Sequence, residues 1–475
     1  MIFKEVKEEM LQRKYTYSRE ILVEDGYDVV VAGGGPAGCA AAICAARLGM
    51  RVLLVEAMGC LGGAGTSGLV ATMGELGRRG TMLLGGFMRE LADTLYERGY
   101  LTGNNPLDRK SISYFSWKPF DPEGLKLVLD EFMQKENVEV RFFTRVIDAD
   151  CDAEKLFVNG VILSNVEGLR YVKAKAYIDC TGDACLAEKC GVEFDVPQPA
   201  MAPTLMSILS GMDWEEIEQE VGCDQIRISI RRQIQEAVDT GEYPFTYPDK
   251  HVPGVFVGTG NTGTMNMGHI FGMDALNCRS LSDGMMLGRR LAREYFEFQK
   301  THVEEFKNIE LVTTASMMGV RDSRRIIGEY RLEMDDYLNK RKFPDQVCLN
   351  AQEIDLHVKD ASKEEYARFS KEFCESFHYT GGEYFGIPYG VLVPKKSQNL
   401  WVAGRIVSCD EQVLASIRMM PVCYTLGQAA GTAAVQAIKN GETACDLNTK
   451  ILVETLRENG AILPQQTLAE TMSRK

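Results

Sequence analysis

The chain has 475 residues, 45% hydrophobic and 25% charged, with a formal net charge of −14. That much apolar sequence can build two or three domains around a large core, so a ligand can be enclosed. The acidic balance works against nucleic-acid binding, which usually needs a basic stripe, and against docking on an anionic membrane, leaving a small molecule as the expected partner.

Residues 1–20 mix charges with apolar residues and lack the apolar run of a secretory signal, so no export is expected. The uncharged run 29–46 is about long enough to span a bilayer, yet it is crowded with Gly and Ala and contains Pro36. A buried strand, turn and helix fit it better. "YDVVV" reads as a parallel strand and "CAAAICAARLG" as a helix of small residues closing at Gly49. Between them Gly33, Gly35 and Gly38 keep the G-x-G-x-x-G spacing. The first permits a tight turn, the second lets backbone approach a pyrophosphate, and the third lets helix and strand pack closely, with the phosphates at the helix N-terminus. The next strand, "MRVLLVEA", ends at Glu56, placed to accept hydrogen bonds from a ribose. Together these features predict a dinucleotide site without separating FAD from NAD.

Further along, "FDPEGLKLVLDEFMQKEN" predicts a helix with Asp121 as N-cap, Pro122 at N1, and Leu125, Val128, Leu129 and Phe132 on one face. A run of strands follows, through "VEVRFFTRVIDADC" and "KLFVNGVILSNVEGLRYVKAKAYID", with Asn159-Gly160 as a hairpin signal. From about 194 to 379 the period turns helical, in "MDWEEIEQEVG", "DQIRISIRRQIQEAVDTG" and "SLSDGMMLGRRLAREYFEFQKTHV". "NLWVAGRIVSCDE" is one more strand. "RMMPVCYTLGQAAGTAAVQAIKNG" reads as a helix with Pro421 near its first turn and Gly427, Ala430, Gly431 and Ala434 on neighbouring turns, a face small enough to admit a flat ring or the sheet. "LNTKILVETLRENGAIL" closes the chain as an amphipathic helix.

Five segments, "GGGPAG…VEAMGCLGGAGTSGLV", "YIDCTGDA", "GVRDSRRIIGEYRL", "FGIPYGVLVP" and "LWVAGRIVSCDEQVLASIRMMPVCYTLGQAAGTAA", resemble in their order and separation the FAD-dependent oxidoreductases of the glutathione-reductase-like fold, near the fumarate reductase flavoproteins. The resemblance covers most of the chain. It implies an α/β fold with a doubly wound, Rossmann-like FAD-binding domain carrying a small β-meander, and an inserted, mainly helical substrate domain. On this reading 1–193 and 380–445 form the FAD domain, 194–379 the insert, and 446–475 a terminal helix and tail.

The same resemblance implies that Gly33, Gly35, Pro36, Ala37, Gly38, Glu56 and Ala57 hold the ADP half of FAD, and that Gly62 and Gly63 lie beside the flavin. Thr181, Gly182 and Asp183 close over the cofactor, and Gly404 with Arg405 contacts the ribityl–pyrophosphate region. Val146, Ser416 and Arg418 complete the expected cofactor set. The N-terminus of the last long helix, aimed at the pyrimidine side of the ring, would favour the negative charge of reduced flavin.

Disulfide reductases of this fold place two cysteines after the second strand, where this chain has only Cys60, so no redox disulfide is expected. The 14 cysteines contain no Cys-x-x-Cys pair, and none of the five histidines shares a metal-ligand spacing with them, which predicts reduced cytoplasmic thiols and no metal. With no His between 56 and 76, FAD is expected to be non-covalent; Cys60 remains the alternative attachment point or reactive thiol. The His-Thr attachment context and catalytic Arg of the fumarate reductases find no match, so fumarate is not assumed.

Flavin chemistry needs a proton donor or acceptor beside the substrate. His269, between glycines in the loop-like "GTMNMGHIFGMDALN" near Asn266 and Asn277, is one candidate, either catalytic or a structural loop histidine. Arg321 and Arg324, with Arg325, either clamp a substrate carboxylate or pair with Asp322, Glu329 and Glu333. His251 and Tyr389 are lesser candidates. The expected function is hydride transfer between flavin N5 and a carbon of a small polar substrate, an alcohol C–H or a C=C, with an electron donor or acceptor still to be identified. The alternatives are an NAD-dependent dehydrogenase without flavin and a flavin-containing tRNA-modifying protein.

Overall fold

The computed structural model describes residues 14–103, 112–246, 249, 252–374 and 379–464. Its centre is a five-stranded parallel sheet in the order Leu400–Val402, Ala176–Asp179, Val29–Ala32, Val52–Val55, Glu139–Arg141. The four strands before the last are buried on both faces, which is why they read as unbroken apolar runs. Val29 pairs with Val52 on one side and with Ala176 on the other, so the outlet of the first strand lies between two neighbours that end at the same level.

Helix Pro36–Arg47 follows the first strand with proline in its first turn, and helix Pro122–Lys135 is capped by the Asp121 side chain, which accepts from Glu123 N–H. Helix Met420–Asn440 is buried along nearly its whole length. Its small-residue face is filled by protein: Gly427 lies on the carbonyl of Ala37 and Gly431 on that of Ala41, so the stripe is the seam with the first helix rather than the floor of a ring site.

The meander pairs strands Arg145–Asp152, Phe157–Asn165 and Gly168–Val172. Its turns fall before Phe157 and after Asn165, not at Asn159-Gly160. That dipeptide lies inside a strand at a register shift between Val158 and Gly160, and a Cβ at Gly160 would stand 2.4 Å from the Tyr171 ring. The glycine serves cross-strand packing at a bulge.

The insert carries the expected helices Trp214–Glu220, Cys223–Thr240 and Cys278–His302. It also holds a four-stranded antiparallel sheet, Gly254–Val257, Gly263–Asn266, Ser207–Ser210 and Glu310–Thr314, which the helical reading of this region missed. These strands have four or five residues each and are rich in Gly, Ser and Thr, too short and too polar to show a period of two. Sheet and helices enclose a separate core around Trp214, Ile230, Tyr295 and Phe306.

Candidate functional site

The parallel strands deliver their loops to one edge, and a single cavity of about 1760 Å³ opens there and runs on into the insert. A pocket for one drug-sized ligand occupies about 300–1,000 Å³, so the space suits a dinucleotide and a second molecule together.

One end is built by the glycine turn. Gly33 takes φ +98 and touches Cys180 backbone, while a Cβ on Gly38 would fall 1.8 Å from Gly33 carbonyl oxygen. Gly35 is different: a Cβ there would meet no protein atom within 4 Å, because its open side faces the cavity at the start of the helix. Backbone can therefore approach a phosphate at this point. The second glycine loop docks on the first through Gly62 N–H donating to Gly34 carbonyl at 2.8 Å. Glu56 accepts from Gly34 N–H at 2.6 Å and from Met58 N–H at 2.7 Å, one bond to each carboxylate oxygen. A carboxylate has about four lone-pair sites, so it can still accept from two ribose hydroxyls.

Strand Ala176–Asp179 ends in Asp179, a residue the sequence reading passed over. Fully buried, it accepts from Thr181 N–H (2.9 Å), Thr181 Oγ1 (2.7 Å) and Ala187 N–H (2.9 Å), and so shapes the Thr-Gly-Asp loop. Asp183 in that loop receives Arg405 at 2.7 Å and Ser323 Oγ at 2.7 Å, while Arg324 donates to Asp183 carbonyl at 3.0 Å and lies over the Phe194 ring. Arg405 and Arg418 line the cavity, and each has a buried Nε without a protein partner among the described residues, donors suited to the oxygens of a cofactor.

Of the residues singled out from sequence, Gly33, Gly35, Pro36, Ala37, Glu56, Ala57, Gly63, Val146, Thr181, Gly182, Asp183, Arg321, Gly404, Arg405 and Arg418 line this one cavity. Gly38, Gly62, Ser416, Arg324 and His269 stand behind its wall. Ser416 donates to Gln352 carbonyl at 2.7 Å, and Arg325 is consumed by Asp322, whose carboxylate it meets at 2.5 Å in a buried pair. Tyr389 donates to Ala444 carbonyl and accepts from Trp401, both inside the core. Asn277 caps helix Cys278–His302, and His251 lies outside the described residues. The segment of Asn266, read as a loop, is a strand up to that residue.

Cys60 Sγ lies 3.2 Å from Ser67 Oγ and not on the cavity wall. The described cysteines are free thiols, and burial pushes those of Cys39, Cys44, Cys180 and Cys185 upward, the wrong direction for disulfide exchange. Among the described residues no cluster could hold a metal ion, and no helix is long and apolar enough to cross a membrane.

At the far end of the cavity Arg321 donates to Ala202 carbonyl at 2.6 Å, Thr204 Oγ1 at 3.2 Å and Asn266 Oδ1 at 3.3 Å. Burial, then the nearby Arg418 guanidinium, pulls its pKa downward. Arginine keeps its proton at neutral pH, so this corner holds a buried positive charge with the Asp355 and Asp249 carboxylates among its neighbours. Arg418 donates to Asp355 Oδ2 at 3.1 Å. Burial works against the Asp355 carboxylate, but His357, Arg418 and Arg321 outweigh it and hold it well below the usual range. His357, also on the wall and missed from sequence, is pushed well below the ordinary histidine value by burial and by Arg321.

Fold and cavity together define a dinucleotide-binding protein whose one cavity runs on past the glycine turn to a group of buried charged side chains. The chain belongs to the FAD dependent oxidoreductase family, whose family model matches residues 28–457. It is an enzyme, and its cofactor is FAD. Solved structures similar to it include a geranylgeranyl bacteriochlorophyll reductase-like protein from Thermoplasma acidophilum, at 12% identity over 92% of this chain and 85% of that one, with a TM-score of 0.45. The p-nitrophenol 4-monooxygenase PnpA from Pseudomonas putida is 13% identical over 92% and 88% of the two chains, TM-score 0.45. The myxobacterial chondrochloren halogenase CndH is 14% identical over 92% and 79%, TM-score 0.41.

Proposed function

We propose that the enzyme transfers a hydride between flavin N5 and a carbon of a small polar substrate, within the glutathione-reductase-like group near the fumarate reductase flavoproteins. The observation that carries this is the continuity of the cavity from the Gly35 turn and Glu56 to Arg321 and His357. Bound FAD supplies the two-electron chemistry. The residues of this chain do the rest: Arg321 and Arg418 orient an anionic or strongly polar group, and His357 exchanges a proton. Placement of Cys60 off the wall supports non-covalent FAD. The family assignment sets aside a dehydrogenase that uses NAD without flavin, and the charge of −14 disfavours an RNA substrate. The electron partner is a separate molecule, and the protein works in the cytoplasm.

The test is the visible spectrum of the purified protein before and after acid precipitation, then anaerobic mixing with sugars, alcohols and enoates. Flavin absorbance released to the supernatant as FAD and bleached by a polar alcohol, or reoxidised by an enoate after reduction, is the expected result. Colour retained in the pellet means a covalent flavin, and reduced flavin that reacts only with oxygen in the presence of an aromatic substrate overturns the hydride-transfer reading.

A further inference from the structure

The meander and the Thr-Gly-Asp loop both reach the cavity, and a pair of cysteines joins them behind it. Strand Arg145–Asp152 puts Arg145 and Val146 on the cavity wall at its start and carries Cys151 near its other end. The loop after Asp179 puts Thr181, Gly182 and Asp183 on the same wall, then continues as helix Cys185–Lys189, with Cys190 as its C-cap. Strand and helix pack on each other. Cys190 is 2% exposed within the core, and Ala149 and Cys151, which share one face of the strand, pack against that core from the outer side. There the two thiols meet in a hydrogen bond.

The pair is asymmetric. Cys151 is partly exposed and Cys190 is buried, so an oxidant in solution reaches Cys151 first. The hydrogen bond from Cys190 S–H favours a thiolate at Cys151 and lowers its pKa, against burial and the Asp152 and Asp150 carboxylates. The same bond, then burial, raises the Cys190 thiol. Cys39, Cys44, Cys180 and Cys185 are all pushed in that upward direction. A thiolate that is accessible and lies beside a second thiol is the arrangement of a redox-responsive cysteine with its resolving partner.

We propose that Cys151 and Cys190 close a reversible disulfide when a peroxide oxidises Cys151, fastening the meander to the helix behind the Thr-Gly-Asp loop. The Cys151 thiolate attacks one oxygen of hydrogen peroxide; the O–O bond breaks, hydroxide leaves, and Cys151 becomes a sulfenic acid. Cys190 sulfur then attacks the sulfenic sulfur; the S–O bond breaks and water leaves with the Cys190 proton. Two thiols lose two electrons and peroxide gains them, giving two waters once the hydroxide takes up the proton released by Cys151. Neither sulfur lines the cavity, so the flavin takes no part in the exchange. Thiols of a reducing compartment reverse the bond, as suits a transient, responsive disulfide rather than a permanent one.

The consequence follows from where the two elements lead. Helix Cys185–Lys189 is tied to the cavity loop through Ala187 N–H, which donates to Asp179 at 2.9 Å, and Cys190 N–H donates back to the Leu186 carbonyl at 3.1 Å. A covalent link from this helix to the strand of Val146 closes a chain loop that the unfolded protein would otherwise leave open. Oxidation therefore stabilises two walls of the cofactor site at once.

The test uses the full FAD-loaded chain, reduced, freed of reductant and treated with hydrogen peroxide at a small excess over protein. Remaining thiols are blocked with iodoacetamide, and the protein is digested without reductant for mass spectrometry. The expected result is a peptide pair linked Cys151 to Cys190 that dithiothreitol separates, with a thermal midpoint a few degrees higher in the oxidised protein that falls back on reduction. In Cys190→Ser, Cys151 is expected to stop at the sulfenic acid, captured by dimedone; in Cys151→Ser, Cys190 is expected to remain a thiol. Cys151 left unoxidised, oxidised without the link, or linked to another cysteine overturns the proposal, and equal midpoints in the two states remove the fastening role. The mapping needs no variant, so a Cys190→Ser protein that fails to fold leaves the wild-type result decisive.

Discussion

Gly427 of helix Met420–Asn440 lies on the carbonyl of Ala37 in helix Pro36–Arg47, so closely that a Cβ built on it would stand 2.0 Å from that oxygen. Residues almost 400 apart in sequence are thereby locked together next to the glycine turn. Replacing Gly427 with Ala gains about 1 kcal/mol of helix propensity. The new methyl strikes backbone, which cannot rotate away, and overpacking of that kind costs about 1–3 kcal/mol or more. The expected net outcome is a lower thermal midpoint and weaker FAD retention together, read by thermal unfolding and by absorbance after gel filtration. An unchanged midpoint would show that the two helices can separate freely.

Gly35 poses the opposite case. Its φ is −71, an ordinary value, and a Cβ would touch no protein atom. Nothing in the fold forbids alanine there; only a ligand does. Gly35→Ala is expected to leave the apoprotein's thermal midpoint unchanged and to weaken FAD binding by about tenfold or more, equivalent to about 1.4 kcal/mol. Equal FAD affinity in a titration of apoprotein would move the pyrophosphate away from this turn.

These two glycines also show what the sequence made legible. The first strand, helix, second strand and Glu56 are contiguous, so local spacing announces them, and the long final helix is announced by its proline and small residues. The Gly427 stripe was legible as small but not as to what fills it, because its partner is the other helix. His357 and Asp249 carried no signal. Neither belongs to a recognisable motif, and the row they form with His269 joins segments about 20 and 90 residues apart that come together only once the insert is folded. Asn159-Gly160 misled for a related reason: the dipeptide is suited to turns, but the Tyr171 ring across the sheet demands a residue without a side chain at Gly160.

The buried His357 gives stability a definite pH slope. Its folded pKa is depressed, so below about pH 6.5 the unfolded chain takes a proton that the folded protein refuses. Stability then falls as pH falls from that point toward the folded value, by at most about 1.4 kcal/mol per pH unit for one proton. Asp355 has the depressed pKa of a paired acid, so its contribution stays intact throughout this window and is lost only well below pH 4. His357→Gln is expected to flatten the slope between about pH 5 and 6.5, measured as the change in thermal midpoint with pH. A variant with the wild-type slope would place the responsible proton elsewhere.

Arg321 decides whether the far chamber takes an anion. Its guanidinium is held from three directions by neutral oxygens of Ala202, Thr204 and Asn266, so its orientation is fixed, and the Asp355 carboxylate shares this end of the cavity with it. Lysine cannot reproduce that fork, since a point ammonium on a flexible stem reaches one or two of these acceptors at a time. Hydrogen bonds to a charged partner contribute about 1.5–3 kcal/mol. Titration of the FAD-loaded protein with acetate or oxalate, followed by the flavin difference spectrum, is expected to saturate in the wild type. Affinity should weaken by about tenfold in Arg321→Lys and by about 10–100-fold in Arg321→Gln, and sodium chloride should compete in proportion to its concentration. If neither anion perturbs the flavin while a neutral polyol does, the guanidinium serves as a hydrogen-bond donor to hydroxyls, and the substrate to seek is uncharged.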